Sequence, residues 1–572
     1  MKSLITFILL ISIPFFGTSQ ENIRLSKSIV EDILKGNYDP SEFQSSNTFD
    51  KPQDILPLIE EDINPQQILS YLEGLVSFET RHTASDTVST TRGIGAARNW
   101  AYDEFEKISQ DNEGRLIPTF LDFDELICDV DKHRNVIAVL PGMESDPSFI
   151  LIEAHMDSRC EERCDSGCEA NGADDNGSGS ALVLELARVL SKYSYKHTFV
   201  FMLTTGEEQG LSGANAFAQY CVDNELGIKA VLNNDIVGGI ICGKTASPPG
   251  CPTPGHIDST TLKIFSSGVG LSLNKQLARF SKMQYEQEIL PTAPVAMDLR
   301  IMSQTDRGGR GGDHIPFHER DYTALRYTSA NEHGNANTAD PDYCDRQHST
   351  RDRIGEDQDG DGVFDEFFLD FNYLARNTFI NGTTAIMASE GPETPTGFNA
   401  FLGDDGLINV DIFDNNHDMY WVLVRTENND FDTLIFTEER NISYEGDPFS
   451  FVSIAAIDDC GIESLFTNEI FVALSSSVDE ESEQGIQFLE ASPNPFSDEL
   501  LISFVINSES FFSYAFLEVY NIQGRLIDTQ RLNVSTELNK IRYVPDFDER
   551  GTFIIKLNIG GETFDSVKVI RI

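Results

Sequence analysis

The sequence predicts an α/β fold, a three-layer α/β/α domain on a mostly parallel mixed sheet, followed by two β-sandwich modules. Three observations carry this expectation. Between Asn135 and Asn233 short apolar runs alternate with longer amphipathic ones, the pattern of strands joined by crossover helices. Near Gly391 the run Gly-Pro-Glu-Thr-Pro-Thr-Gly forms a linker. Beyond it the chain carries short strand-like runs without helical periodicity. A length of 572 residues, at roughly one domain per 100 to 200 residues, suggests several domains.

Residues 1–19 read as a secretory signal: Lys2 is the positive lead, Leu4 to Phe16 the apolar stretch, and Gly17, Thr18 and Ser19 the small residues before the cut. The apolar stretch falls short of the roughly 20 residues a membrane span needs, and no later segment reaches that length. The mature chain is therefore expected to be secreted or held at the cell surface, with no membrane span. Residues 20–64 are polar and weakly patterned, a lead-in to the main domain. Pro65 to Ser109 reads as two helices separated by the polar stretch Arg81 to Thr91.

Within 65–390 the expected strands are Asn135 to Leu140, Phe149 to Ala154, His197 to Thr204 and Lys229 to Asn233. The expected helices are Gly179 to Tyr193 and Ala214 to Asn224. After the linker, 395–475 carries the runs Tyr420 to Arg425 and Phe451 to Ala456 and resembles a fibronectin type III sandwich. The Ser-rich acidic stretch Ser475 to Gln484 leads into a last module, 488–572. That module contains Ser492-Pro493-Asn494-Pro495-Phe496, Leu517 to Gly524, Gly551 to Leu557 and the terminus Lys568 to Ile572. It resembles the C-terminal sorting domain of the type IX secretion pathway, and the resemblance implies the secretion machinery as a partner.

Composition narrows the function classes. The 42 basic and 93 acidic residues leave a formal charge of −51, which repels nucleic acid and anionic headgroups. The charge therefore disfavours nucleic-acid binding. The 40% hydrophobic fraction is that of a folded chain. Of nine cysteines, Cys242 and Cys251 bracket a Pro/Gly-rich loop and form a natural pair; Cys160, Cys164 and Cys168 cluster where disulfides are favoured over a metal site.

The chemistry lies in five separated pieces. His155 and Asp157 stand at the end of the strand Phe149 to Ala154, where α/β sheets bind ligands, and Asp157 is placed to orient the imidazole. Asp174 and Asp175 follow in a Gly-rich turn before a helix, where a cap is the bland reading of either acid. Glu207 and Glu208 follow the strand ending at Thr204, and adjacent glutamates can divide metal binding from proton transfer. Asp235 ends the strand Lys229 to Asn233. His348 lies in Asp345-Arg346-Gln347-His348-Ser349, beyond Gly311-Gly312-Asp313-His314.

In this order and spacing the pieces resemble the co-catalytic zinc aminopeptidases that include bacterial leucyl aminopeptidases, with relatives among carboxypeptidases and glutaminyl cyclases. The resemblance spans 65–390. It implies two zinc ions, with His155 and Asp235 on one, Glu208 and His348 on the other, and Asp175 bridging. Glu207 becomes the general base and Asp157 the partner of His155. The implied reaction is removal of N-terminal residues from peptide or protein substrates by metal-activated water. A carboxypeptidase, a glutaminyl cyclase of the same fold, and a catalytically dead surface-binding protein are the alternatives.

Some details stay open. Asp174 can replace Asp175 as the bridge, and His333 or His314 can replace His348. The family's tyrosine before the last histidine is Gln347 and its following threonine is Arg353, which leaves Tyr343 and Arg310 as candidate oxyanion donors. A separate loop offers Asp357, Asp359, Asp361, the carbonyl of Val363 and Asp365 at the alternate positions of a calcium loop, with Gly362 at the sixth. Phe368 stands where such loops carry their last glutamate.

Overall fold

The computed structural model describes all residues except 1–20, 243–252, 254, 268–271, 308–310, 331–345, 404, 427–429, 448–449, 473–484, 498, 508–513, 522–525, 534–538, 546, 548–549, 560–561 and 572. The signal segment, Cys251, Arg310, His333 and Tyr343 therefore lie outside the described residues. Contacts divide the chain into two compact units, residues 1–263, 284–299 and 308–390 in one, and 264–283, 300–307 and 391–572 in the other.

The strands β1 (Glu21–Leu25), β2 (Ile117–Ile127), β3 (Val130–Leu140), β4 (Ser148–His155), β5 (Thr198–Thr204), β6 (Gly227–Asn234), β7 (Thr261–Phe265), β8 (Asp298–Ile301) and β9 (Ala324–Ser329) form one mixed sheet. Their order is β1-β2-β3-β5-β4-β6-β9-β7-β8. β5, β4, β6 and β9 run parallel, while β3, β2 and β1 continue the sheet antiparallel. The central strands are buried along almost their whole length because both faces are covered, as a parallel sheet requires.

The helices of the first unit are α1 (Ser28–Leu34), α2 (Pro52–Asp62), α3 (Pro65–Val76), α4 (Gly93–Asp111), α5 (Gly179–Leu190) and α6 (Ser212–Asp223). A helix of the second unit, α7 (Leu273–Gln284), is followed in the first by α8 (Ile315–His318) and α9 (Phe371–Glu390). α5 and α9 pack on β4, and α3 packs on both helices. On the opposite face α6 covers β1, β2 and β3, with Phe149 and Leu151 of β4 in one buried cluster with Phe217 of α6.

The lead-in departs from expectation. It supplies edge strand β1 and helix α1, whose Val30 and Ile33 are fully buried in the same cluster. Seven residues give α1 barely two turns, too few to register as periodicity. β2 is a further strand beyond those expected. Its pairing with β3 makes a long hairpin, and β3 reaches Val130 rather than starting at Asn135.

Beyond Gly391 the described residues hold strands and no helix. Strands β12 (Phe398–Leu402), β13 (Ile408–Ile412), β14 (Met419–Arg425), β15 (Thr433–Thr437), β16 (Asn441–Tyr444), β17 (Ser450–Ile457) and β18 (Ile470–Val472), numbered after the short pair β10 (Gly355–Glu356) and β11 (Glu366–Phe367), form two antiparallel sheets. Val410, Tyr420, Val422 and Ile454 fill the core they share. A further three-stranded and four-stranded pair, between Gly485 and Arg571, shares a second core that includes Phe504, Leu517 and Ile555.

Candidate metal centre

The site forms along the C-terminal edge of the parallel strands. His155 ends β4, Glu207 and Glu208 follow β5, and Asp235 follows β6, so register alone delivers three of the five pieces to one edge. Adjacent parallel strands lie about 4.8 Å apart, close enough for their terminal side chains to converge. Gly206, at φ +85°, turns the chain out of β5; a Cβ there would sit in the left-handed region and 3.0 Å from Ser212 Cβ.

Asp175 lies between the two imidazoles. Its Oδ1 is 3.2 Å from His155 Nε2 and its Oδ2 is 3.1 Å from His348 Nε2. His155 Nε2 is also 3.6 Å from Asp235 Oδ1, and His348 Nε2 is 3.1 Å from Glu208 Oε2. Two donor groups result, His155 with Glu207 and Asp235, and Asp175 with Glu208 and His348, the ligand atoms of each lying within 4.8 Å of one another.

The open alternatives resolve in part. Asp174 turns away from the imidazoles, its Oδ1 accepting from the amides of Gly238 and Gly239 at 3.2 and 3.1 Å. His314 is buried against His318, edge to face at 5.1 Å, and belongs to neither donor group. His348 has a φ of +53°, a conformation few non-glycine residues hold unless their surroundings enforce it.

Asp157 plays a different part from the one its spacing suggests. His155 Nδ1 donates to the Asp157 backbone carbonyl at 3.0 Å, while the carboxylate stands 3.6 Å off. That carboxylate accepts instead from the amides of Glu207 and Glu208, both at 3.3 Å, and from Thr83 Oγ1 at 3.0 Å. It thereby fixes the loop that carries both glutamates.

Three arginines absent from the sequence expectations brace the site. Arg159 donates from Nε to Glu208 Oε2 at 2.7 Å and from Nη2 to His348 Nδ1 at 2.7 Å. Arg326, on β9, holds Asp235 through Nη2 at 3.1 Å from Oδ2. Buried Arg81 donates to the carbonyls of Met156, Leu75, Asn171 and Gly172, joining the segment after His155 to the turn before Asp175. The Asp-Ser-Arg sequence after His155 was the only available signal for Arg159.

Electrostatics at the centre are those of crowded buried acids. Burial, with the charges of Asp235, Glu208 and Asp313, pushes the Glu207 carboxyl well above its ordinary value despite the opposing charge of His155. Burial also raises Asp313, to about 7, against the pull of His155 and the Thr204 hydroxyl. Asp175 goes the other way: burial opposes its charge, but hydrogen bonds from both imidazoles hold it well below the usual range. Burial lowers His155, yet Glu207 and its three aspartate neighbours together hold it well above its ordinary value.

The donor set fits bound cations. Each group combines one imidazole with two carboxylates, ligands suited to zinc, and buried Glu208 Oε1 has no hydrogen-bond partner among the described residues. Buried carboxylates in this number require positive charge close by.

The model of peptidase family M28 matches residues 135–246, which carry four of the five pieces. A probable zinc metalloprotease of Leptosphaeria maculans is 31% identical over 384 residues, covering 65% of this chain and 83% of the relative. The chain belongs to peptidase family M28. A second probable zinc metalloprotease, from Pyrenophora tritici-repentis, is 32% identical over 369 residues, covering 62% of this chain and 80% of its own length. Among solved structures, the LapA aminopeptidase of Legionella pneumophila aligns at 20% identity and a TM-score of 0.43, covering 61% of this chain and 79% of that one. As an M28 zinc metalloprotease, the chain carries its two candidate metal groups on a mixed sheet with helices on both faces.

The acidic loop predicted to hold calcium belongs to neither donor group. Asp357, Asp359 and Asp361 come together in an exposed loop. Asp357 accepts from the amides of Gly360 and Gly362, and Asp365 accepts from Gln358. Gln347, in the position of the missing tyrosine, is buried. Cys128 pairs with Cys164 and Cys160 with Cys168. Cys242 is disulfide-bonded, and its expected partner Cys251 lies outside the described residues.

Proposed function

We propose that this metalloprotease is a secreted aminopeptidase that binds two zinc ions, one at His155 and Asp235, the other at Glu208 and His348, with Asp175 shared. The carrying observation is the position of Asp175, one carboxylate oxygen toward each imidazole. Bound zinc supplies Lewis acidity and makes water more acidic. Glu207 accepts the proton of the attacking water and returns it to the departing amine nitrogen, work suited to a carboxyl whose pKa is raised. Asp157 holds the Glu207–Glu208 loop through two amides, and Arg326 orients Asp235.

The acidic surroundings favour a substrate presenting a free ammonium group over one presenting a terminal carboxylate. Arg159, a cation beside the donor groups, is already paired with Glu208. Purified protein should therefore turn over free-amine aminoacyl substrates and leave amino-blocked ones intact, with two zinc ions per chain. Equal turnover of blocked substrates would overturn the aminopeptidase assignment. A stoichiometry near one metal would favour the cyclase alternative.

Export through the signal segment and the type IX pathway belongs to the same proposal. The disulfides Cys128–Cys164 and Cys160–Cys168 support an oxidising destination. Fractionation with N-terminal sequencing of the mature protein tests it: a cytoplasmic chain retaining Met1 would refute export. Calcium in the Asp357 to Asp365 loop is the remaining cofactor in this reading, tested by whether calcium raises the melting temperature of the wild type but not of Asp361→Asn.

A further inference from the structure

A cavity of about 540 Å³ lies away from the metal-binding side chains, lined by β1, α4 and the β2–β3 hairpin. Its walls include Arg24, Arg98, Lys132 and Arg134, with Asp122 and Asp124 as the opposing acids. Four cations against two acids leave a local excess of positive charge, in a chain whose net charge is −51.

The acids are already engaged. Asp122 takes Arg134 at 2.8 Å and Arg24 at 4.0 Å, and Asp124 accepts from Asn22 Nδ2 at 2.8 Å. Arg98, on α4, is only 6% exposed, and its buried Nε has no hydrogen-bond partner among the described residues. No ion pair to Arg98 occurs among them. Burial, then the neighbouring charge of Arg134, pulls the Arg98 guanidinium down to about 10 against the opposing charge of Asp122, so it remains charged at neutral pH. His133 lines the same cavity. Its Nε2 donates to the carbonyls of Glu125 and Val130 at 3.0 and 3.1 Å, which leaves buried Nδ1 as an acceptor without a partner among the described residues.

A buried guanidinium with an unsatisfied N–H and no direct ion pair is costly, and an oxyanion relieves the cost by accepting its N–H groups. The volume is that of a small organic ligand rather than of a lone inorganic ion. We infer that this cavity binds a small organic oxyanion, a phosphate monoester or a carboxylate, through Arg98 with Lys132 assisting. The site is distinct from the metal centre: none of its lining residues belongs to either donor group.

The test is a binding titration on the zinc-loaded protein with glucose 6-phosphate in one arm and succinate in the other, followed by calorimetry and melting temperature. Saturable binding in either arm is expected, and the arm that saturates identifies phosphate or carboxylate chemistry. Arg98→Gln should weaken it on the order of tenfold or more, and exposed Lys132→Gln by several-fold, with aminopeptidase turnover unchanged in both. Lys132→Gln keeps the test decisive if Arg98→Gln fails to fold. Absence of saturation in both arms up to about 10 mM, or equal affinity in wild type and Lys132→Gln, would overturn the inference.

Discussion

The Asp352 carboxylate holds the backbone of Asp175: Oδ2 accepts the Asp175 amide at 2.9 Å, and Oδ1 accepts that of Asp174 at 2.9 Å. The segment carrying His348 is thereby tied to the turn carrying the shared carboxylate. Asp352→Ala should lower metal affinity by roughly 10- to 100-fold, as losing a partner that positions ligands does elsewhere. Zinc competition against a chromophoric chelator measures this, and unchanged affinity would refute the link.

Glu207 lies in the first donor group with His155 and Asp235, next to Glu208 of the second. Glu207→Gln should reduce kcat by about 10²- to 10⁴-fold with zinc content retained. Loss of metal along with activity would instead mark Glu207 as a ligand.

Arg159 competes with any cation for Glu208 Oε2. Removing it by Arg159→Ala should tighten zinc binding at the Glu208–His348 group by several-fold, about 1 kcal/mol on the scale of a partly buried pair. Stepwise zinc titration of the metal-depleted protein separates the two groups; weaker binding in the variant would make Arg159 a support of the site.

In the second unit, Asp414 accepts from His417 Nδ1 at 2.8 Å, from the Tyr420 hydroxyl at 2.9 Å and from nearby amides. Burial opposes its charge, but these bonds hold the carboxyl well below its ordinary value. A depressed carboxyl stabilises the fold fully above the unfolded value of about 3.9, and the contribution fades as pH falls toward the folded value. Trp421, one of two tryptophans, reports on this sheet. In a Trp100→Phe background, urea midpoints should drop below about pH 4, and Asp414→Asn should flatten that dependence.

Cys128, at the β2–β3 turn, binds Cys164 across a separation of 36 residues. Cys128→Ser with Cys164→Ser should cost about 2–4 kcal/mol of stability. Non-reducing peptide maps should recover this linkage and Cys160–Cys168; a different pairing would refute both.

Much of this molecule was legible because its signals are local. The strands β4, β5 and β6 each hold an apolar run, Phe149 to Ile152, Phe199 to Leu203 and Ala230 to Leu232, and their motifs sit directly at the strand ends, so a parallel sheet brings His155, Glu207, Glu208 and Asp235 to one edge. α1 and β1 escaped notice because two turns of helix and five residues of strand carry little periodicity. Arg81, Arg159 and Arg326 escaped because a buried arginine is recognised by the groups it meets, and those lie far away in sequence.

The sequence by itself determined the α/β layering, the M28 motif order and the residue types available to metals. Tertiary structure alone decided which of two adjacent aspartates faces both imidazoles and that the carbonyl, not the carboxylate, of Asp157 meets His155. It also placed Arg159 against Glu208. The physical reason is that neighbouring residues in a turn point in different directions, and only packing against distant segments, the amides of Gly238 and Gly239 for Asp174 and the imidazoles for Asp175, selects which direction each takes.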